Sequence, residues 1–129
     1  MKISRKNPNP GTWFDIEEGG GSVCLRITNQ GALREIRKQC VTKKVVYKKN
    51  GRWPVEEVDD VMFNRLLWQH SIVDWKGIYD ADTNEEIKCT DDNKVWLCEN
   101  SVQFLAFLSE KIDDLSAEIF SEEEEKEKN

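Results

Sequence analysis

The side chains most suited to binding an ion lie between Asp80 and Asn84, in the segment DADTN. Their alternation matches the first three ligand positions of a calcium-binding loop. The match then ends, because Glu85 stands where that loop needs glycine and Asp91 stands where it needs a bidentate glutamate. Asp and Asn are also frequent in turns, where they hydrogen-bond nearby backbone. We therefore predict a turn here, with a cation site as the weaker alternative.

The one histidine, His70, precedes Ser71 and lies near Asp74, which together supply the residue types of a hydrolytic triad. A triad is defined by geometry, and residues this close in sequence rarely converge into one. The sequence also shows no nucleophile elbow or pair of catalytic acids. We expect no catalytic residues and predict that the protein is not an enzyme.

Cysteine and glycine spacing gives no sign of a metal or a cofactor. None of the four cysteines lies in a C-x-x-C pair, whereas structural zinc sites usually take their ligands from two short-spaced pairs. The glycines of residues 19–21 lack the G-x-x-x-x-G-K-[ST] pattern of a phosphate-binding loop. We expect reduced thiols, a glycine-rich turn, and no metal or cofactor. The cysteines are Cys24, Cys40, Cys89 and Cys98.

Charge is divided unevenly along the chain. Residues 1–55 contain 12 Lys or Arg and 4 Asp or Glu, whereas residues 56–129 contain 7 and 21. A basic segment can bind nucleic acid. Two oppositely charged halves can also attract each other when folded, and we favour this second interpretation because it needs no external partner.

The elements that position these residues follow from apolar spacing and turn residues. Residues 12–16 and 23–27 read as strands, and the glycine-rich segment between them predicts a β-hairpin. Asn29 or Thr28 is expected to cap a helix over residues 30–40.

The basic segment is predicted to form a strand over residues 42–47 and a turn over residues 48–52, after which Trp53-Pro54 ends the extended structure. Two aromatic residues, Tyr47 and Trp53, are interleaved with its cations, so the segment could form a nucleic-acid surface. A solvated strand is the favoured interpretation. The cations are Lys43, Lys44, Lys48, Lys49 and Arg52.

The second half predicts a helix over residues 56–70 with an acidic first turn, and an extended segment over residues 72–79. Thr90 is expected to cap a short helix and Ser101 the longest helix, whose apolar stripe is broad. Residues on or beside that stripe include Phe104, Phe107, Leu108 and Phe120.

Length and composition predict an α+β fold, in which an N-terminal β-hairpin and short strands pack with three to four helices, the last of them long. We expect a flexible arm over residues 1–11, a single domain over residues 12–120 and a disordered acidic tail over residues 121–129. No apolar run approaches the roughly 18 residues of a membrane span, and the N-terminus does not read as a signal peptide. A cytoplasmic location is expected.

Of the five tryptophans, Trp75 and Trp96 lie within apolar patterns and are predicted to be in the core. Trp13 and Trp53 lie beside loop or proline segments and are predicted to be exposed contact residues.

The pattern Leu67-Trp68, Ile72-Val73-x-Trp75-x-Gly77-x-x-Asp80 and Ile87-x-Cys89-Thr90 resembles the tail assembly chaperones of long-tailed bacteriophages. The opening Thr12-Trp13-Phe14 with its glycine-rich turn is similar as well. The resemblance covers about residues 12–120, but the basic segment 40–55 shows no family pattern. Thr83-Asn84-Glu85 replaces the family's usual turn glycine, and Asn tolerates the left-handed backbone region that glycine favours.

What the resemblance implies is a non-catalytic role in the cytoplasm of a bacterial host. Such chaperones keep the long tape measure protein soluble and help tail tube subunits polymerise around it. From this we expect Phe104, Phe107, Leu108 and Phe120, together with the exposed Trp13 and Trp53, to form partner-binding surface. The alternatives are a nucleic-acid-binding or regulatory module that uses residues 43–52, and a structural tail or head-joining protein of the phage particle.

Overall fold

The computed structural model describes residues 1–3, 5–6, 9–17 and 19–127, with side chains as far as Ile119. Over these ranges the fold is α+β, as predicted, with four helices and five strands in two antiparallel sheets. No helix within them has the length and apolar character needed to cross a membrane. In chain order the elements are β1 (Thr12–Asp15), β2 (Ser22–Leu25), α1 (Gln30–Cys40), β3 (Val41–Lys48), β4 (Gly51–Val58), α2 (Asp60–Ser71), β5 (Ile72–Lys76), α3 (Asp91–Asn100) and α4 (Val102–Glu127).

The first sheet has the order β1-β2-β5, so the predicted hairpin is confirmed and β2 is the central strand. The pairing of β2 with β5 shifts register: Cys24 lies opposite Asp74, but Leu25 lies opposite Ile72. Val73 is therefore an extra residue, as in a β-bulge. The bulge lets Ile72 and Trp75, three residues apart, both reach the core, although regular alternation would place them on opposite faces.

The core lies between this sheet and helices α3 and α4. Val23, Leu25 and Ile72 have no exposed surface, and they pack with side chains from both helices. Trp75 meets Phe104 edge to face, with ring centroids 5.9 Å apart and an interplanar angle of 79°. The Trp75 Nε1 hydrogen donates to the carbonyl of Ile87 at 2.7 Å, so this large side chain is buried with its polar group satisfied.

The glycine-rich turn between β1 and β2 packs directly on the segment after β5. A Cβ atom on Gly21 would lie 2.9 Å from the carbonyl oxygens of both Lys76 and Gly77. Gly77 in turn has φ +70° and approaches the Cα atom of Gly21. Only glycine allows two backbone segments to come this close, so the pair fixes the turn against the end of β5.

Side-chain caps define the helices much as the sequence predicts. Asn29 accepts a hydrogen bond from the Ala32 amide at the start of α1, and Thr90 accepts one from Asn93 at the start of α3. The hydroxyl of Ser101 accepts from the Phe104 amide at 3.1 Å, which caps α4.

Strands β3 and β4 form a separate two-stranded ribbon, in which every residue of β4 is exposed. The prediction that Pro54 ends the extended structure is wrong, because each strand of a two-stranded ribbon has a free edge where proline is tolerated. The helix predicted from residue 56 begins instead at Asp60, capped by Asp59. Glu56 and Glu57 lie in β4, opposite Lys43 and Thr42.

Two further expectations differ from the structure. Trp96 is 58% exposed, not in the core, because α3 turns Leu97 and Cys98 inward instead. We expected a disordered tail over residues 121–129, but the backbone of α4 continues as helix to Glu127, because glutamate and lysine are good helix formers. Residues 128 and 129 lie outside the described ranges.

The expected flexible arm is attached at its C-terminal end. The Asn9 side chain donates to the carbonyl of Ile27. Gly11, with φ +96°, lies so close to Cys24 that an added Cβ would be 2.7 Å from its sulfur. Residues 9–11 therefore cover part of the sheet face opposite the main core.

We predict that Gly21→Ala lowers the free energy of unfolding by about 1–3 kcal/mol, because the new methyl group must displace backbone atoms. Gly31→Ala is the matched control: it lies in the first turn of α1, has nothing nearer than 3.6 Å to the new Cβ, and should be neutral or stabilising by up to about 1 kcal/mol. Urea denaturation of both variants measures the difference. Equal stability of the two would contradict a tight Gly21–Gly77 contact.

Candidate protein-binding surfaces

An open cleft of about 640 Å³ lies between the β1–β2 turn, the segment after β5 and the first turns of α4. Its position follows from the Gly21–Gly77 contact, which holds the first two walls together, and from the Ser101 cap, which sets where α4 begins. We call it the cleft. Its apolar lining residues are Ile16, Ile78, Leu97, Phe104 and Phe107.

The two phenylalanines of the cleft differ in how firmly they are held. Phe104 is almost completely buried and rests against Trp75. Phe107 is half-buried, and Lys111 Nζ lies 5.8 Å from its ring centroid, within the range of a cation–π contact. Phe107 thus presents an aromatic surface to an incoming side chain, while Phe104 supplies a fixed wall behind it.

Charged groups surround the apolar floor of the cleft and are mostly acidic. Asp15 and Glu17 lie on the hairpin side, and Glu110 and Lys111 lie on the α4 side. Three carboxylates and one ammonium group favour a cationic partner. The arrangement suits a peptide segment that buries an apolar side chain and carries basic residues nearby.

The β3–β4 ribbon offers a second surface, because both of its faces are largely exposed. Trp53 lies opposite Val46 on one face, and Tyr47 lies opposite Arg52 on the other, with the guanidinium carbon 5.6 Å from the Tyr47 centroid. Lys44 forms an ion pair with Glu57, and hydrogen bonding to that carboxylate raises the Lys44 pKa. We define the ribbon tip as Tyr47, Lys48, Lys49, Arg52 and Trp53.

His70, Ser71 and Asp74 do not form a triad. His70 Nδ1 lies 3.0 Å from the hydroxyl of Thr28, and that hydroxyl lies 3.2 Å from the Ser71 hydroxyl. The Asp74 carboxylate instead accepts from the backbone amide of Trp75 at 2.8 Å. The histidine ring therefore contacts the hydroxyl of Thr28, which in turn contacts Ser71, and the Asp74 carboxylate that a triad would require is bonded elsewhere.

All four cysteines are free thiols, as expected. Burial is the largest cause of a raised pKa at each of them, and it raises the pKa of Cys98 to about 12, with Glu99 adding to the effect. A thiol attacks as its thiolate, so these groups are poorly suited to nucleophilic chemistry near neutral pH.

The Asp80–Asn84 segment is a turn that its own hydrogen bonds explain. The Asp80 carboxylate accepts from the Asp82 amide, the Asp80 carbonyl accepts from the Asn84 amide, and both distances are 2.8 Å. Asn84 takes φ 57°, the left-handed conformation expected of the residue that replaces glycine. Across the described part of the chain, no group of three or more metal-ligating side chains comes together.

The structure separates the residues expected to bind a partner. Leu108 and Phe104 are buried in the core, so Leu108 offers no contact surface and Phe104 only a wall of the cleft. Phe107 lines the cleft, while the Phe120 side chain lies outside the described residues. Trp13 and Trp53 are exposed, as predicted, but on different elements, and Lys76 Nζ lies 4.8 Å from the Trp13 ring centroid.

Sequence reasoning did not assign Ile16, Ile78 or Tyr79 to a binding surface, although all three line the cleft. The sequence signal that could have located this surface is a pair of glycines, one in the β1–β2 turn and the other two residues after Trp75. Two glycines that flank paired strands can mark a close backbone approach, and residues beside such an approach share one end of the sheet.

No family model, curated protein or solved structure matches this chain.

Burial, followed by the positive charges of Arg26 and Lys94, lowers the pKa of His70 below its ordinary value near 6.5. The unfolded chain therefore takes up this proton at a higher pH than the folded chain, and stability falls as the pH drops from about 6.5 to the folded-state pKa. We predict that His70→Asn removes this part of the pH dependence. Melting temperatures at pH values from about 7.5 to about 5 test it, and parallel curves for both proteins would contradict it.

Proposed function

We propose that this protein is a non-catalytic tail assembly chaperone that binds the tape measure protein through the cleft and helps to recruit tail tube subunits. The observation that carries the proposal is the cleft itself: an open apolar depression, with the half-buried Phe107 on one wall and a mostly acidic rim. A chaperone of this kind needs apolar surface that a client can reach while the protein alone stays dispersed.

The form of the cleft supports a peptide client over a small metabolite. It is open to solvent, and its lining carboxylates Asp15, Glu17 and Glu110 belong to exposed residues, which can attract a basic segment. A small-molecule site would more commonly enclose its ligand and place polar groups within the pocket.

The resemblance in sequence supports the same role, because Gly77 lines the cleft and two other residues that carry the resemblance, Trp75 and Thr90, help to position its walls. Trp75 holds Phe104, Gly77 contacts the hairpin turn, and Thr90 begins the helix that contributes Leu97. Three of the residues that resemble the chaperone family therefore help to form the cleft. A cytoplasmic location in a bacterial host belongs to this proposal.

Co-expression with a tape measure protein and a tail tube protein of a long-tailed bacteriophage tests the proposal. The wild-type protein should raise the soluble fraction of the tape measure protein and co-purify with it. Phe107→Glu places a charge on the apolar wall and should weaken binding on the order of 30-fold, the expected loss of about 2 kcal/mol for an aromatic anchor. Pull-down and the soluble yield of the tape measure protein measure the effect.

Val102→Glu is the matched control, because it makes a similar change on the same helix at a side chain that is 85% exposed and outside the cleft. It should behave as wild type, and melting temperatures should show that both variants remain folded. If wild type neither solubilises nor binds the tape measure protein, the chaperone role is rejected. If wild type binds and Phe107→Glu binds equally well, the role stands but the cleft is not its site.

A further inference from the structure

The β3–β4 ribbon exposes several large apolar side chains to solvent. A strand pair of eight residues extends roughly 25 Å, and all extensive contacts of these two strands are with each other. An isolated two-stranded ribbon is only marginally stable in water. Yet this one exposes Val45, Tyr47, Trp53 and Val55 to solvent, which favours a partner that covers these side chains.

The edges of the ribbon are poorly suited to adding another strand. Lysines 43, 44 and 48 occur along β3, and Pro54 interrupts the donor groups of β4. Lysine and proline on edge strands are common protection against edge-to-edge pairing. A partner is therefore expected on the faces and at the tip.

The charge of the ribbon is concentrated at its tip. Nearer the base, Lys44 pairs with Glu57, and Lys43 lies opposite Glu56. At the tip, Lys48, Lys49 and Arg52 have no ion-pair partner among the residues whose side chains are described. The ribbon tip thus combines three available cations with two exposed aromatic rings.

Helix α4 of the same protein carries the complementary charge. Asp113, Asp114 and Glu118 are exposed within about 8 Å of helix length. Among the side chains described, the one ion pair they form is between Asp114 and Lys111, at 3.9 Å. We call these three residues the acidic patch. Adjacent Ile119 is 41% exposed, which offers an apolar contact for an aromatic ring.

We propose that the protein associates with itself, with the ribbon tip of one copy contacting the acidic patch of a second copy. The two surfaces differ, so the contact is heterologous and can extend into a ring or a chain of copies. Three charge pairs alone would be weak in water, so burial of Trp53 against the neighbouring helix supplies an essential part of the affinity. This inference does not depend on the binding of a client in the cleft.

A nucleic acid is the less favoured partner for the ribbon tip. Three phosphate contacts support only weak binding that is easily removed by salt. Outside the ribbon the chain carries 23 acidic and 14 basic residues, so a polyanion would be repelled by the rest of the protein. The acidic patch carries the opposite charge. Because it belongs to the same chain, it is always present at the same concentration as the ribbon.

Charge reversal in full-length protein tests the contact directly. The ribbon variant is Lys48→Glu, Lys49→Glu and Arg52→Glu, and the patch variant is Asp113→Lys, Asp114→Lys and Glu118→Lys. Sedimentation equilibrium at low salt should give wild type a weight-average mass above the monomer value of 15.1 kDa, decreasing with added salt. Each variant alone should remain at the monomer mass. An equimolar mixture of the two should associate again, because it contains an unchanged tip with an unchanged patch as well as the reversed pair.

The matched control is Arg34→Glu, Arg37→Glu and Lys88→Glu, which changes the net charge equally at exposed positions away from the ribbon tip. It should associate as wild type does. A monomeric wild type at low salt, unchanged association of the ribbon variant, or failure of the mixture to associate would each overturn the proposal. Salt-sensitive binding of a DNA duplex by a monomeric wild type, lost in the ribbon variant, would overturn it in favour of a nucleic-acid partner.

Discussion

The fold depends on the point where α2 passes directly into β5 without a linker. The last carbonyl groups of α2 accept hydrogen bonds from other elements. Lys94 Nζ donates to the Gln69 carbonyl at 3.2 Å. Arg26 donates through Nε to the His70 carbonyl at 2.7 Å and through its backbone amide to the Ser71 carbonyl at 2.9 Å. Positive groups are favoured at this end of a helix. Because Arg26 follows β2 and Lys94 belongs to α3, one polar cluster fixes the sheet, α2 and α3 relative to each other, and the cationic surroundings of His70 follow from it.

Local signals in the sequence predicted the parts of the fold that local interactions determine. The β1–β2 hairpin, the range of α1 and the caps Thr90 and Ser101 depend on residues within a few positions of each other, and all are confirmed. The start of α2 was placed too early because an acidic segment suits both a helix N-terminus and a solvated strand. Residues 56–58 form a strand because they pair with β3, and local sequence signals do not reveal this pairing. Trp96 shows the same limit, since which side of α3 faces inward depends on tertiary packing.

For the binding surfaces, the sequence identified suitable residue types more reliably than their arrangement. Exposure of Trp13 and Trp53 was predicted correctly from neighbouring loop residues. A broad apolar stripe on α4, however, does not reveal which of its residues the sheet covers, and the bulge at Val73 determines this by bringing Trp75 to the core face, against Phe104. Phe107, one helical turn along, remains half-covered and becomes the accessible wall of the cleft. Whether its occupant is the tape measure protein stays a prediction.

The division of charge along the chain is only slightly neutralised by folding. The favoured interpretation of the sequence is attraction between the basic and acidic halves. Among the described side chains, however, only the Lys44–Glu57 ion pair joins the halves, and that pair lies within the ribbon. The cations of the ribbon tip form no ion pair with the described acidic side chains. Charges held apart in this way lower the stability of the folded chain very little, since exposed pairs contribute little in any case. They do provide two surfaces of opposite sign on one molecule, and such surfaces favour an ordered contact between copies over indiscriminate aggregation, because like surfaces repel and only unlike ones attract.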